Sequence, residues 1–461
     1  MKVLLTHGYF LNEDLREQQI MKPYPPLGLL YLAAFLDNRH IDNTVYDSTF
    51  SSFADQLKFI GHHRPAIVAI YANLMTKINV VKLVKLLRTN AHYGFPTIII
   101  GGPDVTFNCR EYLSAGAHFL VIGEGEETLS ELSEAILQGL DVNTISGIAF
   151  LENGEVLKTP ARTHMKSLAE LPLPKRSAID MSRYLETWKK HHGKSAMTIS
   201  TQRGCPYTCK WCSTAVYGQS YRRRPAELVA DEMLMLKTQY GPDSIWFVDD
   251  VFTVSHKWIG EFCCAVEAKG AKIPFECITR AERLNPEILQ MLKLAGCFRI
   301  WIGAESGSQK IIDAMDRRVK VDEVASAIRM ANALGIETGT FIMIGYPGED
   351  EHDIRQTIDY LKEANPTHFT ITVAYPIKGT SLYQEVESSI VHRPDWQTST
   401  DRDLDFTRTY PRKYYDYAVS KVMSEVSLHR EFQGPANPLR MFKYKSKSWL
   451  AGAMMEIWRR R

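Results

Sequence analysis

The first 140 residues alternate short apolar runs with longer amphipathic ones. The amphipathic runs, such as Leu27–Asn38 and Lys77–Thr89, repeat their hydrophobic side chains with a helical period. Short apolar strands that alternate with helices predict an α/β fold with a doubly wound, flavodoxin- or Rossmann-like parallel sheet. Ligands of such sheets bind beyond the carboxyl ends of the strands. The predicted strands are Val3–Thr6, Thr44–Asp47, Ile67–Tyr71, Thr97–Ile100 and Phe119–Ile122.

A second stretch, residues 196–376, repeats a strand and a helix six times. This repetition predicts a (β/α)6 partial barrel that is open on one side, with its active site at the carboxyl ends of the strands. Residues 1–140 and 196–376 are therefore the two predicted domains, joined by a linker at 141–195 and followed by a small, mostly helical region at 377–461. The predicted barrel strands are 196–202, 244–249, 275–279, 299–303, 337–344 and 368–374.

Composition excludes several classes of protein. The 461 residues include 55 basic and 53 acidic ones, so the formal net charge of +2 gives no general nucleic-acid footprint. The start of the chain predicts a strand and not a signal peptide, and no apolar run approaches the roughly 18 residues of a spanning helix. The cysteine usage fits a reducing compartment, which predicts a cytoplasmic protein.

Three cysteines dominate the chemistry that the sequence predicts. Cys205, Cys209 and Cys212 lie in the run RGCPYTCKWCS, where Gly204 and Pro206 argue against a regular helix. Thiolates select iron–sulfur clusters, zinc or copper, but a structural zinc site usually has four ligands and no second C-x2-C pair exists. On a [4Fe–4S] cluster the three would leave one iron open for a substrate. We therefore expect an iron–sulfur cluster here.

This cysteine motif resembles the signature of the radical S-adenosylmethionine (SAM) superfamily. The resemblance implies that Cys205, Cys209 and Cys212 hold a [4Fe–4S] cluster, that SAM binds its open iron, and that electron transfer then yields a 5′-deoxyadenosyl radical. Trp211 occupies the aromatic slot that lies near the adenine in that family, although Phe or Tyr is more usual there.

The resemblance also assigns SAM-binding roles to residues at the ends of the predicted barrel strands. Carboxylates there would accept hydrogen bonds from the SAM ammonium group, and an arginine would pair with its carboxylate. Taken singly, the acidic residues are equally well explained as solvated charges or helix N-caps. The candidate SAM-binding residues are Asp249, Asp250, Arg280, Glu305, Ser306, Gly345 and Gly348.

The first domain resembles the cobalamin-binding domain fused to many radical SAM enzymes. The resemblance is carried by PYPPLGLLYLAAFL from Pro23, GGPDVT from Gly101 and GEGEETL from Gly123. It implies cobalamin as a cofactor without a protein histidine ligand motif, because D-x-H-x-x-G is absent. His7 would approach the corrin or be a partly exposed loop histidine. The candidate cobalamin-binding residues are His7, Asn73, Gly101, Gly102, Gly123, Glu124 and Gly125.

The combined resemblance implies a cobalamin-dependent radical SAM enzyme of the class that includes methyltransferases and the anaerobic magnesium-protoporphyrin ester cyclase. We expect methyl transfer to an unactivated carbon of a small or lipid-like molecule, with flavodoxin or ferredoxin as electron donor. Radical cyclisation or oxidation without methyl transfer is an enzymatic alternative. A cobalamin- or redox-sensing binding module is a non-enzymatic one.

The last residues form a basic amphipathic pattern. One helical stripe contains the apolar residues Trp449, Leu450, Ala453, Met454, Ile457 and Trp458. It is flanked by the basic residues Lys443, Lys445, Lys447 and Arg459–Arg461. Such a tail can lie on an anionic membrane surface, so peripheral membrane contact through 441–461 is one interpretation. Packing of the stripe onto the protein's own body is the other.

Overall fold

A computed structural model describes residues 1–433 and 437–460. By compactness the chain divides into two units, which are described separately. The first contains Met1–Pro206, Thr214–Ile245 and Pro394–Asp401, and the second contains Tyr207–Ser213, Trp246–Arg393 and Arg402–Arg461. None of the described helices is both long enough and apolar enough to cross a bilayer. The predicted domain boundaries stay a prediction.

The first unit contains a seven-stranded sheet in the order β2-β1-β3-β4-β5-β6-β7. Its first five strands are parallel. The strand order shows that the chain reverses its direction of winding between β1 and β3, which is the switch point where flavodoxin-like sheets bind ligands. The predicted doubly wound sheet is thereby confirmed. The strands are β1 (Val3–His7), β2 (Asn43–Tyr46), β3 (Ile67–Tyr71), β4 (Thr97–Gly101), β5 (Phe119–Val121), β6 (Ile148–Glu152) and β7 (Glu155–Lys158).

Helices cover both faces of this sheet. Strand residues such as Leu4, Val68 and Ile98 contribute to one apolar core, and Val3, Ile67 and their neighbours contribute to a second. Two hydrophobic faces on one sheet explain why its central strands are apolar without alternation. The helices are α1 (Leu15–Ile20), α2 (Leu27–Asn38), α3 (Phe53–His63), α4 (Lys77–Thr89), α5 (Cys109–Ser114), α6 (Gly125–Gln138) and α7 (Met181–His192).

The predicted linker, 141–195, contains ordered structure. Strands β6 and β7 form an antiparallel hairpin that extends the sheet beyond β5. Its turn is Asn153-Gly154, with positive φ angles of 52° and 83°, which is the backbone of a type I′ hairpin turn. The hairpin forms because Ile148, Ala149 and Phe150 bury their side chains.

The second sheet has six strands, in the order β15-β14-β13-β12-β11-β8. Neighbours in this sheet are also consecutive repeats along the chain, as in a barrel, so the predicted (β/α)6 fold is confirmed. The elements are β8 (Ala196–Ile199), β9 (Gln202–Arg203), β10 (Arg222–Arg223), α8 (Ala226–Gln239), β11 (Ser244–Phe247), α9 (His256–Ala268), β12 (Phe275–Thr279), α10 (Pro286–Ala295), β13 (Cys297–Glu305), α11 (Gln309–Ala314), α12 (Val321–Ala333), β14 (Glu337–Ile344), α13 (Glu351–Ala364) and β15 (His368–Val373).

The C-terminal region is mostly helical, as predicted. Helix α14 (Ser381–Val386) precedes two short antiparallel strands, β16 (Ile390–His392) and β17 (Asp405–Phe406). Two long helices follow, α15 (Arg412–Gln433) and α16 (Pro438–Arg459). Helix α15 packs against α13, β15 and α16.

Candidate functional site

A two-stranded ribbon closes the base of the cysteine loop. Strands β9 and β10 pair antiparallel, with Arg203 opposite Arg222, and the loop Gly204–Tyr221 connects them. Gly204 has a φ of 81°, and a Cβ there would lie 2.3 Å from Ser220 Oγ and 2.5 Å from Ser220 O. Glycine is therefore required before the first cysteine, because no side chain fits between the two arms of the ribbon.

The three predicted cluster ligands differ in exposure. Cys205 is buried, Cys209 is half-buried and Cys212 is exposed. All eight cysteines lie in the described part of the chain, and none forms a disulfide. Within residues 1–433 and 437–460, no three His, Cys, Asp or Glu side chains are arranged to hold a single metal ion. Three thiolates on one loop still provide the soft donor set that an iron–sulfur cluster requires.

Backbone hydrogen bonds fix the middle of the cysteine loop within the second unit. The Lys210 amide donates to Met315 O at 3.1 Å, and the Lys210 carbonyl accepts from the Leu382 amide at 2.8 Å. The ring of Trp211 packs against an apolar cluster that includes Met315 and Tyr346. Trp211 therefore lies beside the loop after β14, which contains the candidate SAM-binding residues Gly345 and Gly348.

Arg280, at the end of β12, contacts the cysteine loop directly. Its Nη1 donates to Cys209 Sγ at 3.2 Å, and its guanidinium lies 3.9 Å from the centre of the Tyr207 ring. Arg280 also bonds to Glu282 and to the Arg317 carbonyl. The structure thus joins this predicted SAM-binding residue to a predicted cluster ligand. Its proposed contact with the SAM carboxylate stays a prediction.

Glu305 ends β13, Ser306 follows it, and both residues are buried. Glu305 has a φ of 67°, an uncommon conformation for a residue other than glycine. Burial raises the pKa of Glu305 to about 7, although Arg317 and Arg280 act in the opposite direction. The Ser306 hydroxyl lies 3.2 Å from Thr357 Oγ1 and accepts from the Ser308 amide, so it helps to hold α13 against the strand end.

The loop after β14 contains a buried carboxylate. Gly345 and Gly348 both have positive φ, at 76° and 80°. The turn between them lets Glu349 Oε2 accept from the Gly345 amide, while Glu349 Oε1 is buried without a hydrogen-bond partner among the described residues. Burial raises the pKa of Glu349 to about 8. Asp350, and not Glu349, caps the following helix.

Asp249 and Asp250 follow β11 and differ in environment. Asp249 is only 2% exposed, whereas Asp250 is exposed. Of these two carboxylate residues, Asp249 is therefore the one enclosed by protein.

At the carboxyl edge of the first sheet, His7 is buried and not a partly exposed loop residue. His7 Nε2 lies 3.0 Å from Asp47 Oδ1, and Nδ1 lies 3.2 Å from the Tyr9 amide and 3.1 Å from Ser48 Oγ. Both ring nitrogens therefore have protein partners. Although burial opposes it, hydrogen bonds from His7 and Tyr184 lower the pKa of Asp47.

Asn73 and the glycine pair shape the loops after β3 and β4. Asn73 Oδ1 accepts from the amides of Met75 and Thr76, so it orders the turn that begins α4. Gly101 ends β4, and Gly102 follows with a φ of 113°. A Cβ on Gly102 would lie 2.3 Å from Ala72 O, which shows how closely the two loops approach.

Glu124, which lies between Gly123 and Gly125 in the sequence, belongs to a buried ion-pair network. Arg203 Nη1 lies 3.1 Å from Glu124 Oε1, and Arg222 Nη1 lies 2.8 Å from the same oxygen. Arg203 also pairs with Glu126. Burial opposes ionisation, but the Met165 amide and the two guanidiniums lower the pKa of Glu124. Its carboxylate thus links the loop after β5 to the ribbon below the cysteines.

Comparison with known families assigns both parts of the chain. Residues 199–361 match the model of the radical SAM superfamily, and residues 19–133 match the B12-binding domain. The chain carries a radical SAM domain and a B12-binding domain. The expected cofactors of this radical SAM protein, a [4Fe–4S] cluster, SAM and cobalamin, are thereby confirmed at the level of its domains. The individual ligand residues stay predictions.

Relatives resemble this radical SAM protein over most of its length. An uncharacterised methyltransferase of Pyrococcus horikoshii is 29% identical over 390 residues, which cover 82% of each chain. The anaerobic magnesium-protoporphyrin IX monomethyl ester cyclase of Cereibacter sphaeroides is 25% identical, covering 85% of this chain and 64% of the relative. The solved structure of the cobalamin-dependent SAM radical enzyme OxsB, with aqua-cobalamin bound, matches the fold with a TM-score of 0.75 at 17% identity, covering 98% of this chain and 72% of that one.

Several residues of the site escaped sequence reasoning. Tyr207, Arg283 and Arg317 surround Arg280, and Arg283 Nε donates to the Tyr207 hydroxyl at 2.6 Å. Asp47 and Tyr184 bond at 2.6 Å although 137 residues separate them. Tyr207, within the cysteine run itself, and Asp47, at the end of a predicted strand, carried a signal that could have drawn attention to them.

Proposed function

We propose that this radical SAM protein transfers a methyl group to an unactivated carbon of a small or lipid-like molecule. The observation that carries the proposal is the cysteine loop in a radical SAM domain on a chain that also has a B12-binding domain. A carbon whose C–H bond is not acidic cannot be deprotonated by a side chain near neutral pH. Radical abstraction of hydrogen would avoid this obstacle, and a bound methylated corrin would supply the methyl group.

The chain's residues have distinct roles in this proposal. Cys205, Cys209 and Cys212 would hold the cluster, which supplies the electron that cleaves SAM. Trp211 would lie near the adenine, and Arg280 would keep Cys209 in place through its hydrogen bond to the sulfur. The candidate SAM contacts also include Asp249, Asp250, Glu305, Ser306, Gly345 and Gly348.

Cobalamin would bind at the carboxyl edge of the first sheet. The loops after β3, β4 and β5, with Asn73, Gly101, Gly102 and Gly123, would form the cradle. The polar atoms of His7 and Glu124 already bond to other protein groups. These two residues would therefore position their protein partners in the cradle. This agrees with a corrin held without a protein histidine on cobalt.

Radical cyclisation or oxidation without methyl transfer is the second candidate. The similarity to the cyclase of Cereibacter sphaeroides favours it, since that relative covers 85% of this chain. We further propose a cytoplasmic location, reduction by a flavodoxin or ferredoxin, and no nucleic-acid partner. The membrane contact expected of 441–461 is argued separately below.

The proposal is tested with anaerobically reconstituted full-length protein. We expect iron and sulfide near four per chain for a [4Fe–4S] cluster, bound cobalamin, 5′-deoxyadenosine from SAM, and label from methyl-deuterated SAM in cobalamin and then in product. The triple variant Cys205→Ala, Cys209→Ala, Cys212→Ala should lose the cluster and SAM cleavage, whereas the exposed Cys264→Ala should retain both. SAM cleavage that persists in the triple variant would falsify the assignment. An unlabelled cyclised or oxidised product would favour the second candidate.

A further inference from the structure

Helix α16 packs onto the rest of the second unit through one face only. Ser448, Ala451 and Met455 are buried on that face, where α16 lies along α15. The Ser448 hydroxyl bonds to Glu425 of α15 at 2.5 Å, and Glu425 also pairs with Lys362 of α13 at 2.9 Å. The orientation of α16 about its own axis is therefore fixed by contacts within the protein.

The opposite face of α16 is apolar and exposed. Leu439 is 82% exposed, Phe442 73% and Trp449 74%, and Leu450 and Ile457 are also exposed. At about 100° per residue these five side chains fall within an arc of about 100°. Of the predicted stripe, Trp449, Leu450 and Ile457 face solvent, whereas Ala453, Met454 and Trp458 are half-buried. The stripe therefore packs onto the protein's own body in part, through Ala453, Met454 and Trp458.

Lysines border the exposed arc on both sides. Lys443 and Lys447 lie on one flank and Lys445 on the other, and all three are exposed without an ion-pair partner in the described structure. Residues 438–460 contain six basic residues and one acidic residue, Glu456, so this segment has a net charge of +5, against +2 for the whole chain. Arg461, the last residue of the predicted basic flank, lies outside the described residues.

We propose that the outward face of α16 binds the surface of an anionic lipid bilayer. Apolar and aromatic side chains would enter the boundary between headgroups and acyl chains, and the flanking lysines would extend to the lipid phosphates. A second copy of the chain is a poorer occupant, because a symmetric contact would bring the same lysines of two chains together. The inference is independent of the proposed methyl transfer.

The test is co-sedimentation of the full-length reconstituted protein with vesicles of phosphatidylcholine, with or without phosphatidylglycerol. We expect binding to the anionic vesicles that weakens with salt. Each lysine near an anionic surface contributes about fivefold in partitioning, so Lys443→Gln, Lys445→Gln, Lys447→Gln together should weaken binding on the order of 100-fold. The double variant Phe442→Glu, Trp449→Glu should also lose binding, while SAM cleavage is unchanged in both.

Matched controls use the same substitutions elsewhere on the surface. Leu294→Glu changes another exposed leucine, 64% exposed on α10, and Lys257→Gln changes an exposed lysine on α9; both should bind like the unaltered protein. Equal binding to pure phosphatidylcholine would overturn the role given to the lysines. No binding to either vesicle, or a dimer in light scattering that Phe442→Glu, Trp449→Glu dissociates, would overturn the proposal itself.

Discussion

Replacing Arg280 by glutamine is expected to lower the reduction potential of the cluster that the cysteine loop is predicted to hold. Arg280 is 5% exposed, and its Nη1 donates to Cys209 Sγ at 3.2 Å. Reduction adds negative charge to an iron–sulfur cluster, so a guanidinium beside a ligand sulfur stabilises the reduced form more than the oxidised one. Glutamine removes both the charge and the donor.

The contact sets an upper limit on the effect. A hydrogen bond to a charged group contributes about 1.5–3 kcal/mol, and only the part that differs between the two oxidation states shifts the potential. Since a tenfold change in a one-electron equilibrium corresponds to about 59 mV, the decrease should be tens of millivolts and at most about 130 mV. Arg280→Lys keeps the charge and should show a smaller decrease.

Potentiometric titration followed by electron paramagnetic resonance measures this shift directly. Arg283→Gln is the matched control, because the Arg283 side chain donates to the Tyr207 hydroxyl of the same loop and not to Cys209 Sγ. Iron and sulfide contents should be equal in all variants compared. If Arg280→Gln and Arg283→Gln had the same potential as the unaltered protein, the electrostatic role of Arg280 would be refuted.

Three further predictions concern stability and ligand binding. Glu232 is fully buried between two buried arginines, so Glu232→Ala should lower the free energy of unfolding by about 3–5 kcal/mol. The control Glu363→Ala, at an exposed ion pair, should lower it by less than about 1 kcal/mol. Denaturant titrations measure both changes. The pKa of Glu305 is raised from 4.5 to about 7, so the native state keeps a proton that the unfolded state releases, and stability should fall as pH rises through this window. Glu305→Gln should remove this contribution, so the melting temperature of the variant should fall less with rising pH than that of the unaltered protein. Parallel pH profiles of the two proteins would contradict this. Gly102→Ala should lower the melting temperature, because its Cβ would overlap Ala72 O, whereas Gly123→Ala should weaken cobalamin binding measured by absorbance with a smaller change in melting.

The strands were predictable because each is a short apolar run, and their observed bounds agree with the predicted ones to within a few residues. The run predicted at 196–202 is instead two strands, β8 and β9, interrupted at Ser200–Thr201. The β6–β7 hairpin was missed because its polar outer residues hide the pattern, although Asn153-Gly154 was a recognisable turn signal.

The side chains of the candidate site were harder to interpret from sequence, because their partners lie far away along the chain. Arg280 and Cys209 are 71 residues apart, and Glu124 and Arg222 are 98 apart. A sequence shows that a charged residue follows a strand, but it does not show whether another side chain already neutralises that charge. Glu124 was predicted from the resemblance of GEGEETL to the cobalamin-binding domain, and its arginine partners became visible only in the folded chain.

The glycines show what distinguishes a ligand cradle from a tight turn. Gly102 and Gly345 have positive φ, but a Cβ at either would meet protein atoms, Ala72 O at 2.3 Å and the Tyr415 ring at 3.2 Å. The fold itself therefore explains these two glycines. At Gly123 the nearest atom to a Cβ would be Val216 O at 3.8 Å, and at Gly348 there is none within 4 Å. Packing does not exclude a side chain at Gly123 or Gly348, so the positive φ of each, 85° and 80°, is the structural reason for glycine there, and both positions leave room for a ligand to approach the backbone.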